Sequence, residues 1–286
     1  MSTPGGIVWL ASFPKSGNTW FRIFLANLAA GANGPADINN LDERGGIASS
    51  RHEFEAVTLL DSGFLTHDDV DNLRRRVYQR LAVKTEEQRW IKVHDGYTNT
   101  ADGEPMFGID GACVVYLVRD PRDVAVSLSH HNSTTLDKAI ALMNDPDAAY
   151  CAGSKGLAPQ LRQKLLGWSA HVASWTGQSD LPAMMVRYED LRAQPTRHFS
   201  AALDFAGRAA TAEEVALAVQ HADFGELKRQ ETEKGFAERM SRTTPFFRSG
   251  RTGGWREALS AEQVALIEDA HGPTMRKLGY ALSTDG

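Results

Sequence analysis

Near its start the chain carries a short apolar run, Ile7–Ser12 (IVWLAS), closed off by Pro14. A run of this length, rich in β-branched and aromatic residues, reads as a strand buried on both faces. The period then changes. Trp20, Phe21, Phe24, Leu25 and Leu28 recur at helical spacing over residues 18–30, and Gly31 stops them. The first unit is therefore strand, short loop, helix. Residues 31–62, rich in Gly, Asn, Asp and Ser, predict an irregular excursion. Thr66 with Asp69 predicts a capped helix start, followed by Val70, Leu73, Val77 and Leu81 on one face. Trp90–His94 predicts a strand that ends in a polar loop over 95–110, and Ala112–Val118 a central strand whose apolar residues are continuous rather than alternating. Asp120-Pro121 opens a helix, with Asp at the cap and Pro in the first turn. Helical patterns recur over 134–143 and 159–176, and Ala183–Val186 predicts another buried strand. The pairs Thr211/Glu214 and Ser260/Gln263 predict capping boxes. Residues 232–256 have no clear period and predict a long loop, a class that is usually functional.

Strands alternating with helices from residue 7 to about 190 give an α/β chain with a central parallel sheet flanked by helices. In such sheets ligands bind beyond the carboxyl ends of the strands. Three polar clusters fall there: Pro14–Thr19, Lys92–His94 and Arg119–Ser127.

Composition narrows the options without changing this outline. Hydrophobic residues make up 42% and charged residues 23%, which excludes disorder and coiled coil as the main architecture of the 286 residues. The formal charge, 31 − 36 = −5, argues against a general nucleic-acid partner but leaves room for a local anion pocket. Two cysteines, Cys113 and Cys151, make no disulfide framework, and no His/Cys spacing suggests a metal. There is no signal-peptide pattern and no apolar stretch approaching 18 residues. The expectation is a soluble cytoplasmic protein with no membrane partner. Nothing in the sequence sets an oligomeric state.

The first cluster, Phe13-Pro14-Lys15-Ser16-Gly17-Asn18-Thr19-Trp20, joins a strand to a helix N-terminus. Free backbone N–H groups and the positive dipole end make such a junction a phosphate site. Gly17 permits close backbone approach, Lys15 adds charge, and Ser16 and Thr19 add hydroxyls. Lys precedes the Gly here, so this is not the GxxxxGK[ST] loop of ATP-dependent phosphotransferases. An ordinary β–α turn with a surface lysine is the competing reading. In the second cluster Lys92 and His94 stand at i and i+2 of a strand and face one side. Histidine suits general-base work near neutrality, and a surface histidine is the alternative. In the third, Arg119 ends the central strand and Ser127 lies two turns into the next helix. The pair can share one phosphate, or Arg119 can belong to an ion network with Asp120, Arg122 and Asp123.

Together these clusters resemble the sulfotransferase family that uses 3′-phosphoadenosine 5′-phosphosulfate (PAPS), the cytosolic type and its bacterial relatives. FPKSGNTW resembles that family's 5′-phosphosulfate loop, YLVRDPRDVAVSLSHH its 3′-phosphate segment with the eight-residue Arg-to-Ser spacing kept, and IKVH the strand that bears the base. The segment Gly167–Trp175 resembles its Trp-rich helix, Met185–Leu191 its Tyr-Glu-Asp strand end, and Phe246–Trp255 its C-terminal Gly-rich loop. The six segments occur in family order across residues 13–256.

The resemblance implies a single sulfotransferase domain over residues 1–286, with a P-loop NTPase-like three-layer fold. It implies PAPS as donor, no metal, and a small-molecule, glycan or natural-product acceptor. It implies His94 as base for the acceptor hydroxyl or phenol, Lys15 at the leaving 5′-phosphate and Lys92 at the sulfuryl oxygens. Ser16, Gly17, Asn18 and Thr19 would hold the 5′ end, with the Asn18 amide donating to a phosphate oxygen, and Trp20 would also contact the donor. Arg119, Ser127, Arg248, Ser249 and Gly250 would hold the 3′-phosphate, and Tyr188 and Phe224 the adenine. Ser249 stands where the family often has Lys, which leaves Arg251 or Arg256 to compensate. The acceptor pocket would draw on residues 32–62, 95–110, 130–160 and 232–247. The runner-up function is an ATP-dependent kinase of P-loop type.

Overall fold

The computed structural model describes residues 6–41, 46–83, 88–153, 158–239, 245–248 and 250–285. In chain order the elements are β1 (Ile7–Ser12), α1 (Asn18–Ala30), α2 (Arg51–Thr58), α3 (His67–Val83), β2 (Arg89–Val93), β3 (Cys113–Val118), α4 (Pro121–His131), α5 (Leu136–Asn144), β4 (Ala149–Tyr150), β5 (Gln163–Lys164), α6 (Trp168–Gly177), β6 (Ala183–Arg187), α7 (Tyr188–Ala193), α8 (Pro195–Phe205), α9 (Ala212–His221), α10 (Phe224–Lys234), α11 (Trp255–Ala258) and α12 (Ala261–Lys277).

Among the described residues the main sheet has the order β2-β1-β3-β6, every pair parallel. The chain leaves β1 for one neighbour, β2, then crosses to the other side for β3. Strand order therefore reverses beside β1, where open α/β sheets form their ligand crevice. All six residues of β1 are buried, as its unbroken apolar run predicts. Ile7, Trp9 and Ala11 enter the core cluster that includes residues of α3, α4, α6 and α12. Val8 and Leu10 enter the other, with residues of α1, α8 and α9. The period of two thus splits one strand between two helical layers, and each fully buried large side chain stabilises the sheet by about 1.5–3 kcal/mol.

The predicted caps are present. Thr211/Glu214 and Ser260/Gln263 are reciprocal capping boxes, and Asp120 accepts the Arg122 N–H at the start of α4. Three expectations are corrected. Ala183–Arg187 is a strand, but as an edge of the sheet it buries only Val186 and leaves Ala183 and Met185 exposed. Residues 159–176 are helical only from Trp168, because Gln163–Lys164 pairs antiparallel with Ala149–Tyr150. Residues 31–62 contain α2, fastened by a Ser50 cap on Glu53 N–H and by buried Phe54.

Candidate active site

β1 ends at Ser12 and α1 begins at Asn18, so five residues make the turn at the crevice. Lys15 (φ 71°) and Gly17 (φ 105°) both adopt left-handed backbone. Such a conformation is strained for a lysine and costs glycine little. A Cβ on Gly17 would lie 2.7 Å from Tyr188 Cδ2, so the aromatic ring packs against bare backbone. No side chain caps α1 and no acidic residue enters its first turn, which leaves the positive end of its dipole uncompensated. Ser16 Oγ is buried without a hydrogen-bond partner among the described residues. Asn18 departs from expectation. Its Nδ2 donates to the Leu10 carbonyl (2.8 Å) and to Ser12 Oγ (3.2 Å), so the amide ties α1 to β1 rather than offering a donor to the crevice.

Burial, reinforced by the charges of Lys92 and Arg119, lowers the Lys15 ammonium to about 7, and its Nζ lies 3.8 Å from the Phe246 ring centroid. Lys92 Nζ is 3.1 Å from Glu238 Oε2. Burial pushes the Glu238 carboxyl up, but Lys92 and Arg22 outweigh it and hold the group down at about 2, fully ionised.

His94 follows β2 directly. Its Nδ1 is 2.9 Å from the Ser12 carbonyl oxygen, an acceptor only, so Nδ1 carries the hydrogen and Nε2 the lone pair. Burial, then the neighbouring Lys92, lowers its pKa well below the usual histidine value, although the Ser12 bond opposes this. The imidazole is therefore neutral near pH 7. The backbone around it is fixed from several sides. His171 Nε2 lies 3.2 Å from the His94 carbonyl, and its Nδ1 lies 2.8 Å from the Tyr116 hydroxyl. Asp95 accepts two bonds from buried Arg74 (3.1 and 3.0 Å) and one from the Lys164 N–H, while its carbonyl accepts from Trp175 Nε1. Removing one partner of a buried pair like Arg74–Asp95 costs about 3–5 kcal/mol.

At the end of β3 the Arg119 guanidinium bridges two loops, through Nη1 to the Lys15 carbonyl (3.3 Å) and Nη2 to the Arg251 carbonyl (3.0 Å). It also lies over the Tyr188 ring at 4.5 Å, and its Nε is buried without a partner among the described residues. Asp123 is the tether of the C-terminal loop. It accepts the N–H of Gly253 (2.7 Å) and of Trp255 (3.0 Å) and sits 3.8 Å from Arg119. Asp120, Arg122 and Glu268 form a separate buried network, so the competing ion-network reading holds for Arg122 but only marginally for Arg119. Tyr188 donates its hydroxyl to the Gly250 carbonyl (3.2 Å), and Trp20 meets Tyr188 edge to face at 6.1 Å. Gly250 has φ 60°, and a Cβ there would strike the Phe224 ring at 2.7 Å.

These groups line one cleft of about 780 Å³, a size that suits a nucleotide-like ligand. Of the residues singled out in the sequence, Lys15, Gly17, Asn18, Thr19, Trp20, Lys92, His94, Arg119, Ser127, Tyr188, Phe224, Arg248 and Gly250 line it. Ser16 is buried and is not among the lining residues, and Ser249 lies outside the described residues. Arg251 also lines the cleft, whereas Arg256 stacks on Trp255 at 4.5 Å. Ile47, His131, Asn132, Tyr150, Gln160 and Gln163 also line the cleft. Loop 95–110 contributes none of the lining residues, because Met106 and Phe107 point into the core. Arg22, Asp123 and Glu238 were not singled out as site residues by the sequence. Arg22 had one available signal, its place one turn after Thr19. Glu238 had none. Among the described residues no group of three or more His, Cys, Asp or Glu side chains is placed to hold a metal, and no helix is long and apolar enough to cross a membrane.

Comparison with known proteins agrees with this geometry. The Arabidopsis thaliana protein named cytosolic sulfotransferase 17 is 26% identical over 96% of this chain and 76% of its own length. Cytosolic sulfotransferase 16 of the same plant is 24% identical over 91% and 73%. The fold is that of solved sulfotransferase structures. Retinol dehydratase in complex with androsterone and inactive cofactor PAP superposes with a TM-score of 0.63 at 20% identity, covering 97% of this chain and 83% of that one. Mouse sulfotransferase SULT7A1 complexed with PAP gives 0.61 at 18% identity, covering 95% and 84%. Residues 6–279, from before β1 to past the end of α12, match the sulfotransferase domain, and the chain belongs to that family.

Proposed function

We propose that the cleft binds PAPS and that the protein transfers its sulfuryl group to a hydroxyl or phenol of an acceptor, with His94 as general base. The carrying observation is the meeting of Lys15, Lys92 and Arg119 in one cleft beside a neutral, oriented imidazole. The fit of the donor rests on groups that lack partners among the described residues. Among the described residues Ser16 Oγ and Arg119 Nε are buried donors without a hydrogen-bond partner, and the start of α1 carries no side-chain cap. The donor supplies, when bound, an activated sulfuryl group on a bisphosphate leaving group.

The residues divide the remaining work. Lys15 gains a reason to be charged when an anion arrives, since burial and like charges hold it near 7 without one. Lys92 adds a second positive charge on the His94 side of the cleft. Arg119, Ser127, Arg248 and Gly250 serve the 3′-phosphate, and Trp20, Tyr188 and Phe224 offer aromatic surface to the adenine. His94 Nε2 takes the acceptor's proton, while its Nδ1–H stays on the Ser12 carbonyl and keeps the tautomer fixed. Preorganised positive charge and positioning carry such transfers, with little covalent work for the protein. The Tyr150, Asn132, Gln160 and Gln163 wall favours an acceptor with polar groups of its own, such as a hydroxylated small molecule, glycan or natural product. The relatives named cytosolic make a cytoplasmic setting part of the proposal.

Titration calorimetry with 3′,5′-bisphosphate and with AMP tests the donor site. The bisphosphate should bind far more tightly, and Arg119→Ala should weaken it roughly tenfold or more, the worth of a charge-assisted bond. Equal affinity for both nucleotides would remove the 3′-phosphate assignment.

A further inference from the structure

Glu238 follows α10, and its partly buried carboxylate lines the cleft among residues distant in sequence. Oε1 is 2.5 Å from Arg22 Nη1, while Oε2 is 3.1 Å from Lys92 Nζ and 3.5 Å from Thr19 Oγ1. Lys15 is close enough for Glu238 to stabilise its charge. The carboxylate is ionised, so it acts as a one-charge anion held by a slot of cationic and hydroxyl groups. Two of those groups belong to the donor site: Lys92, which the proposed function sets on the His94 side of the cleft, and Thr19, which the family resemblance gives to the donor's 5′ end. An anion that bonds both therefore stands in the donor's way. The other oxygen of the same carboxylate bonds Arg22, whose side chain is only 5% exposed. Arg22 sits three residues after Thr19 on α1, so the helix period puts both on the cleft face.

We infer that Arg22 is a further substrate-contacting residue, which with Lys92 and Thr19 receives the sulfuryl end of the donor, and that Glu238 fills this slot until the donor displaces it. The inference rests on the proposed use of PAPS. A sulfuryl group, like a carboxylate, presents several oxygens and one negative charge, so the exchange keeps an anion against Arg22 and Lys92. It also requires Glu238 to leave, because two anions in one slot repel. The Glu238 carboxylate then gives up its bonds to Arg22 and Lys92 as the donor enters.

Equilibrium binding of PAPS and of 3′,5′-bisphosphate without acceptor tests this, since only PAPS carries the sulfuryl group. Glu238→Gln, in a partly exposed loop position, should tighten PAPS several-fold and change bisphosphate affinity by less than about threefold. In that background, Arg22→Gln should weaken PAPS roughly tenfold or more, again with a small effect on the bisphosphate, and Arg22→Lys should recover part of the loss. Weaker PAPS binding by Glu238→Gln would overturn the inference, since Glu238 would then be a latch that stays in place over bound donor. Equal loss of both nucleotides in the Arg22 variants, or no loss, would overturn it as well. Wild-type protein that binds neither nucleotide would instead strike the proposed function, and this inference with it.

Discussion

The imidazole of His94 owes its proposed role to three influences that act differently on it. Ser12 fixes the tautomer, burial keeps the ring neutral, and Lys92 adds a like charge that penalises protonation further. The base must be neutral to work, and its pKa lies below the ordinary histidine value. The acid limb of kcat/KM for the donor should therefore fall below pH 6.5, with the rate lost as pH drops through it. His94→Ala should lower kcat about 10²–10⁴-fold while bisphosphate affinity stays near wild type. Near-normal turnover by that variant would move the role to His131, which also lines the cleft. Lys15, Lys92 and His94 were legible in the sequence because strand and helix grammar places residues at strand ends. Glu238 was not legible. Its meeting with Arg22 spans 216 residues, and no local period encodes that. Asn18 lines the cleft, and that its amide bonds the Leu10 carbonyl of the strand beneath it is a contact that no local period encodes.

The turn between β1 and α1 is the element on which the site depends most. Lys15 and Gly17 must both take left-handed backbone for the loop to curl around an anion, and Gly17 must also admit the Tyr188 ring. Gly17→Ala should destabilise the fold by about 1–2 kcal/mol for the backbone alone, and it should weaken bisphosphate binding as Tyr188 is pushed aside. Thermal unfolding and calorimetry check the two effects separately, and a variant that matches wild type in both would contradict this account of the loop. The sheet strands were read from the sequence almost to the residue because continuous apolar runs leave little choice. The weak points were short elements. α2 is eight residues with one buried side chain, and β4 and β5 are two residues each, so tertiary pairing rather than period decides them.

Across the whole molecule the charge is −5, yet Lys15, Arg22, Lys92, Arg119, Arg248 and Arg251 converge on one cleft. Field focusing by low-dielectric walls lets a net acidic protein attract a polyanion to such a place. The parallel sheet makes this arrangement possible, because β1, β2, β3 and β6 all end at the same edge and each delivers a side chain or loop there. The order of motifs along the chain revealed that edge, whereas the placement of Glu238 against Arg22 and Lys92 became visible only in three dimensions. The most direct test is transfer of labelled sulfuryl from PAPS to a panel of hydroxylated acceptors, run in EDTA beside labelled ATP with magnesium. The account predicts label on an acceptor oxygen from PAPS, one bisphosphate released per transfer, and no loss of rate with chelator. Transfer from ATP that requires magnesium, with none from PAPS, would contradict it.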